Sequence, residues 1–286
     1  MVAAYLLCLI AVFGYGIAAV LQAKGMRAAM AANPDQSFKF MGNPYVLVGL
    51  VLDFVSWGLS RVALGYLPLF AVQTVLAGSI AVTTVAASLM LGTKLSRTDR
   101  WAVIAMCVAI TVVGAAAAPV VDDVSPPAYE PYLLAALPVL LVLGLTVARR
   151  WTPVFEAVLA GIAFVCSAMA ARLVQGHLGI ISVLTSPFTW AVVGHTLVGI
   201  WLHTRAMGRG GAGQITAVMW STEVVVATVV GLVAFGESVR SGWAIPVALA
   251  IITVLVATVV LARTSAEAVE ARTDVEATLL HSTEMA

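Results

Sequence analysis

Charge is scarce in this chain: Asp, Glu, Lys and Arg together make up 10% of its 286 residues, against 62% hydrophobic. Soluble domains run near a quarter charged, so a water-soluble globular fold is excluded. Nor is one sign in excess, since the formal net charge is +1, and no basic face is left over for nucleic acid. Cysteine is sparse too. Cys8, Cys107 and Cys166 each sit in an apolar run, which removes a disulfide framework and any CxxC metal or redox motif. A GxxxxGK[ST] phosphate loop, an HExxH pair and a GxSxG elbow are all missing. Nucleotide hydrolysis and zinc or serine hydrolase chemistry therefore have no carrier, and the expectation is a chain that is not an enzyme and takes no cofactor. The identity of any bound metal is left unknown.

What the chain does have is long hydrophobic runs, with a mean hydropathy of +1.04. A helix needs about 20 mostly apolar residues to cross a bilayer core. Stretches of that kind lie at 2–23, 44–62, 68–91, 101–119, 131–148, 153–175, 187–206, 212–235 and 242–262. They are too long, and alternate too little, for an outer-membrane barrel. The first is too long for a signal core, no positive charge precedes it, and Lys24 and Arg27 follow it, so it reads as a retained helix. Nine spans sort the polar segments into two alternating sets. Arg61, Arg172 and Arg240 fall in one set, and the other twelve Lys and Arg fall in the other. That imbalance is what the positive-inside rule demands of correct boundaries, and it places the N-terminus outside and the C-terminus in the cytoplasm of a plasma (inner) membrane protein. Trp101, Trp151, Trp190 and Trp243 fall near predicted span ends, where amphipathic rings prefer to sit.

The two halves echo one another. Trp57 and Ser60-Arg61 match Trp201 and Thr204-Arg205, and Gly92-Thr93-Lys94-Leu95-Ser96 matches Gly236-Glu237-Ser238-Val239-Arg240, all at an offset of 144 residues. Ala18 to Lys24 similarly parallels Cys166 to Arg172. Spans 1–4 thus echo spans 6–9 across an odd number of crossings, which makes the copies antiparallel, a transporter architecture. The expected fold is an all-α polytopic membrane protein of nine transmembrane helices in a 4+1+4 inverted repeat. The first repeat is residues 1–119, the connector helix falls in 120–150, the second repeat is 151–262, and 263–286 is a polar cytoplasmic tail.

Ionisable groups deep in a membrane cost at least ~2.5 kcal/mol each and ask for a reason. Asp53, His195 and Glu223 fall near mid-span. Gln22, Gln73 and Thr74 are polar neighbours at helical spacing, and Trp57 and Trp220 are mid-membrane rings able to wall a pocket or stack on a cation. The functional reading is a hydrated cavity in which Asp53 and Glu223 attract a cation or exchange protons. His195, from the helix equivalent to that of Asp53, faces the same centre as a pH-sensitive gate. Against it stands a structural reading in which these groups only pair and fix helix packing. Glu156 is expected to be an interfacial ion partner near Arg149 and Arg150. Lys94, Arg97 and Arg100 are expected as headgroup anchors. Arg61, Arg172 and Arg240 mark the outer face, with an outer gate as the alternative reading.

The run Ala63-Leu64-Gly65-Tyr66-Leu67-Pro68-Leu69, continuing through Val72-Gln73 to Leu91-Gly92-Thr93-Lys94-Leu95-Ser96, resembles the "AL-x-YLP … l-GErLs" stretch of the drug/metabolite transporter superfamily. Val113-Gly114 and Ala118-Pro119 resemble its "GvxLl" helix, and Gly236-Glu237 restores a GE pair that the first half replaces with Gly92-Thr93. With Asn43-Pro44 and Gly49 after one helix, the layout is most similar to the NIPA-like branch, whose members are associated with magnesium transport. That branch carries a glutamate after glycine in span 2, where this chain has Leu52-Asp53. The resemblance implies a secondary carrier of a small polar solute or cation. A divalent-cation pathway and a non-transporting scaffold or lipid-linked precursor handler are the competing readings. Expected partners are the lipid bilayer and a small-molecule or ion substrate. A homodimer is left open, and an Arg-over-Lys, Ala/Val-rich composition points to a GC-rich bacterium.

Overall fold

Helix starts follow from local chemistry. Asn43 accepts a hydrogen bond from the Tyr45 amide (3.0 Å) ahead of Pro44, whose ring is preset for a first helical turn. Ser96 and Asp99 form a reciprocal capping box, with Asp99 N–H donating to Ser96 Oγ (3.1 Å) and Ser96 N–H donating to Asp99 Oδ2 (2.8 Å). That box starts its helix at Arg97, ahead of the apolar stretch beginning at 101. A computed structural model describes residues 2–32, 43–91, 95–118, 130–146, 152–174, 180–207, 212–233 and 235–263. The tail after 263, Lys94, Arg149, Arg150, Trp151 and most of the loop at 120–130 lie outside the described residues.

Among the described residues the chain is helical, without strands. The helices are α1 (Val2–Ala32), α2 (Pro44–Ala63), α3 (Leu69–Ala77), α4 (Ser79–Leu91), α5 (Arg97–Ala116), α6 (Glu130–Thr146), α7 (Pro153–Val174), α8 (Ile180–Thr185), α9 (Pro187–Met207), α10 (Ala212–Val233) and α11 (Ala244–Arg263). Seven segments, with α3 and α4 counted together over Leu69–Met90, are long and apolar enough to cross a membrane, and the chain is a multi-pass membrane protein. The other two expected spans are helical but weaker. α6 is apolar yet short, and α9 has the length but carries His195, His203 and Arg205. Two differences from expectation concern the first half. α1 runs on to Ala32 past the apolar stretch, and the stretch at 68–91 is two helices broken at Gly78. A Cβ at Gly78 would lie 2.5 Å from Ile110 Cδ1 and 2.9 Å from Val75 O, so Ile110 of α5 packs closely on the break.

α1 packs chiefly on α2 and α4, and α7 chiefly on α9 and α10. α3, buried along its whole length, is wedged against α1, α5 and α10 and touches α2. One apolar cluster joins α1, the α2–α3 turn, α3, α7 and α10, and a second joins α3, α5, α10 and α11. Large apolar side chains face outward all round, among them Phe54, Trp101, Ile245 and Val256, as lipid contact requires of a bilayer protein. Trp101, Trp190 and Trp243 are exposed near helix ends.

A small residue sets the crossing of α7 and α10. A Cβ at Gly161 would fall 2.8 Å from both the Met219 carbonyl and Thr222 Cβ, so α7 and α10 touch backbone to backbone. Gly161→Val is expected to destabilise the protein by about 1–3 kcal/mol through overpacking, read as a lowered unfolding midpoint in detergent. An unchanged midpoint would mean that the crossing is looser than drawn.

Candidate functional site

The mid-membrane polar residues divide into three places. On the α1–α2 seam, Gln22 Nε2 donates to Asp53 Oδ2 (2.7 Å), and both side chains are half-buried. A glycine opposite makes this contact, since a Cβ at Gly49 would lie 2.6 Å from Gln22 Cγ.

The second place is the junction of α1, α2, α3 and α10. Glu223, on α10, is 5% exposed, and its charge acts on the guanidinium of Arg61 at the end of α2. Arg61 lies 5.7 Å from the centroid of the Trp57 ring, one helical turn back, in cation–π range. Tyr15 of α1 interacts with Ser60 and lies within electrostatic reach of Arg61, Asp53 and Glu223. Ser60 in turn donates to the Trp57 carbonyl (2.7 Å). Trp57 Nε1 has no hydrogen-bond partner. Gln73, on the wedged α3, is 1% exposed, and neither end of its amide has a partner. Buried polar groups are hydrogen-bonded in the great majority of cases, because each orphan forfeits about 1–3 kcal/mol. The orphan indole lies under the Arg61 guanidinium, within electrostatic reach of Glu223, and the orphan amide sits on a helix packed against α10; these are groups that a polar guest could satisfy. Thr74, next to Gln73, is satisfied within its own helix by donating to the Phe70 carbonyl (2.7 Å). Trp220, one turn below Glu223, is partly buried and packs against three apolar clusters.

His195 is elsewhere. It is 0% exposed, its Nδ1 lies 2.8 Å from the Ala191 carbonyl of its own helix, and its Nε2 is unpartnered. α9 packs on α7 and α6 whereas α2 packs on α1, so the structure does not bring His195 and Asp53 to one centre. Equivalent positions in a repeat share a depth but not necessarily a facing direction. Glu156 is an ion partner, but of Arg205, with Nε and Nη2 meeting its two oxygens at 3.1 and 3.0 Å.

Arg61 and Tyr15 are the site residues that sequence reasoning missed. Arg61 was available as an arginine inside a 20-residue apolar helix, four residues after a tryptophan. Its place at a span end let it pass for a topology marker. Among the described residues no three His, Cys, Asp or Glu side chains converge to hold a metal ion. Protein-family models, curated proteins and solved structures were compared with the chain, and none matches.

Proposed function

We propose that this chain is a secondary transporter that moves a small polar solute or cation across the plasma membrane by alternating access. Its nine spans form a 4+1+4 inverted repeat with the N-terminus outside, as the drug/metabolite transporter resemblance implies. The observation that carries the reading is the group Tyr15, Trp57, Arg61 and Glu223, with the unpartnered Gln73 on the adjoining α3. It lies where helices of the first repeat (α1, α2, α3) meet a helix of the second (α10), the place where rocking halves would exchange access. The packing supports the repeat: α1 against α2 and α4 has its counterpart in α7 against α9 and α10. So does the clustering of chain segments. The ends of α2, α5, α7 and α10 gather at one end of the bundle, as alternate crossings require, with Arg240 N–H donating to the Ala116 carbonyl (2.9 Å) and Arg172 paired with Glu237.

The magnesium-type reading is weaker. Arg61 beside Glu223 offsets the charge a bare dication would need, and Asp53 is engaged by Gln22.

Uptake into proteoliposomes across a panel of amino acids, polyols, organic cations and Mg²⁺ tests the proposal, with wild type set against Asp53→Asn and Glu223→Gln. Flux of at least one probe, lost in Glu223→Gln, is the expected result. No flux of any probe would return the chain to the scaffold reading.

A further inference from the structure

At the end of the bundle where α2 turns into α3, one carboxylate joins its own loop to α3 and α7. Pro68 precedes α3 and supplies no side-chain cap, so the first amides of a wholly buried helix need an acceptor from elsewhere. Glu237 provides it across 168 residues of sequence: Leu69 N–H donates to Oε1 (2.6 Å) and Phe70 N–H to Oε2 (3.3 Å). The same carboxylate pairs with Arg172 at the end of α7, and both side chains are nearly buried. The Arg172 guanidinium lies 4.8 Å from the centroid of the Phe235 ring. Gly236, at φ +60°, makes the turn that aims Glu237 inward, a conformation L side chains rarely adopt. Glu237 N–H donates to the Gly231 carbonyl (2.8 Å), and an antiparallel bridge between Ala117 and Val239 ties the end of α5 into the same joint.

In the inverted-repeat reading this joint crosses the repeat boundary, with α3 and α5 on one side and α7 and the α10–α11 segment on the other. The second salt bridge among the described residues does not cross it, although the electrostatic coupling of Arg61 to Glu223 does. Glu156 and Arg205, with the Gly144 carbonyl, connect only α7, α9 and α6. Halves that rock past one another must break the contacts joining them at the end that opens, while contacts within a half travel with it. Charge-assisted bonds at a helix N-terminus suit such a contact, being strong when dry and exchangeable for water once the end opens.

We propose that Glu237 and Arg172 are the gate residues of this end, and that their joint, closed in the structure, separates whenever the site is exposed to the outer side. The proposal rests on the carrier reading above for its purpose, but not for its test. Cys8 is a built-in reporter. It is fully buried, in the same apolar cluster as Leu67, Leu69, Ala171 and Phe235, which flank the joint.

With Cys107→Ser and Cys166→Ser as background, the full chain in detergent micelles is treated with a hydrophilic maleimide, which reaches both ends. Glu237→Gln and Arg172→Gln are each expected to raise the Cys8 labelling rate roughly ten-fold, by favouring the open state. Arg240→Gln, in the same loop but with its side chain exposed, is expected to leave the rate unchanged. Unfolding midpoints measured in parallel separate gate opening from global loss of structure. If a Gln variant does not fold, Arg172→Lys decides the question, since it keeps the charge and loses the fork. Cys8 rates within about two-fold of the parent in folded joint variants would overturn the gate. Faster labelling in a protein that carries no probe would keep the gate and overturn the carrier.

Discussion

Glu156→Ala is expected to cost about 3–5 kcal/mol of stability, the largest loss of any single substitution considered, seen as a sharply lowered unfolding midpoint in detergent. Glu156 is 0% exposed, and its two oxygens take two donors of the Arg205 fork at 3.0 and 3.1 Å. Arg205 also donates from Nη2 to the Gly144 carbonyl (2.7 Å) and lies 4.6 Å from the centroid of the Trp201 ring, so one guanidinium secures α6, α7 and α9. Removing the carboxylate leaves the Arg205 guanidinium, itself 23% exposed, with only the Gly144 carbonyl and the Trp201 ring, and empties a fully buried niche between the helices. Arg205→Lys should be nearly as damaging, because a point charge cannot span both oxygens and the carbonyl. The double replacement Glu156→Leu with Arg205→Met should recover much of the loss, since an apolar pair of similar volume leaves no orphan. If Glu156→Ala and the double variant unfold together, the cost lies in packing volume and the pair contributes little.

How much of this was legible beforehand follows from what hydropathy measures. It reports depth, and depth placed the helices well: 44–62 became Pro44–Ala63, 153–175 became Pro153–Val174, and 187–206 became Pro187–Met207. It is blind to a break between two apolar segments, so Gly78 went unseen, and blind to a polar helix end, so α1 outran its apolar stretch. Depth also found Glu223, Asp53 and His195. It could not find partners, which depend on the azimuth each helix presents. Asp53 was matched to His195 by repeat position, yet α2 turns it toward Gln22 on α1, and α9 keeps His195 on its own carbonyl. The charged residues at span ends were the most misleading. Arg61 and Arg172 read as markers of a membrane surface, whereas long side chains reach inward as readily as outward. A loop glutamate that caps a helix 168 residues earlier leaves no local signal at all.

The buried charge pair yields the second large expectation. Glu223→Gln is expected to lower flux of the carried probe roughly 100-fold or more, about 3 kcal/mol at the transport barrier. Arg61→Gln is expected to do the same, although the two substitutions change net charge in opposite directions. The reasoning runs through compensation. Glu223 is buried on α10 and Arg61 is the positive charge that acts on it, so removing either takes away the opposite charge that offsets the other. An unbalanced buried charge draws water or a counter-ion into the junction and resists the re-closure that alternating access requires. A site that merely attracted cations would behave differently: Glu223→Gln would abolish flux while Arg61→Gln, by unmasking the carboxylate, would raise it. The sign of the Arg61→Gln effect therefore separates a balanced carrier site from a cation pathway. The double variant Arg61→Gln with Glu223→Gln discriminates further. Partial recovery of folding midpoint without recovery of flux would show that the charges act on the solute as well as on each other. Recovery of both would reduce the pair to a packing element, and the transport role would pass to Gln73, Trp57 and Tyr15.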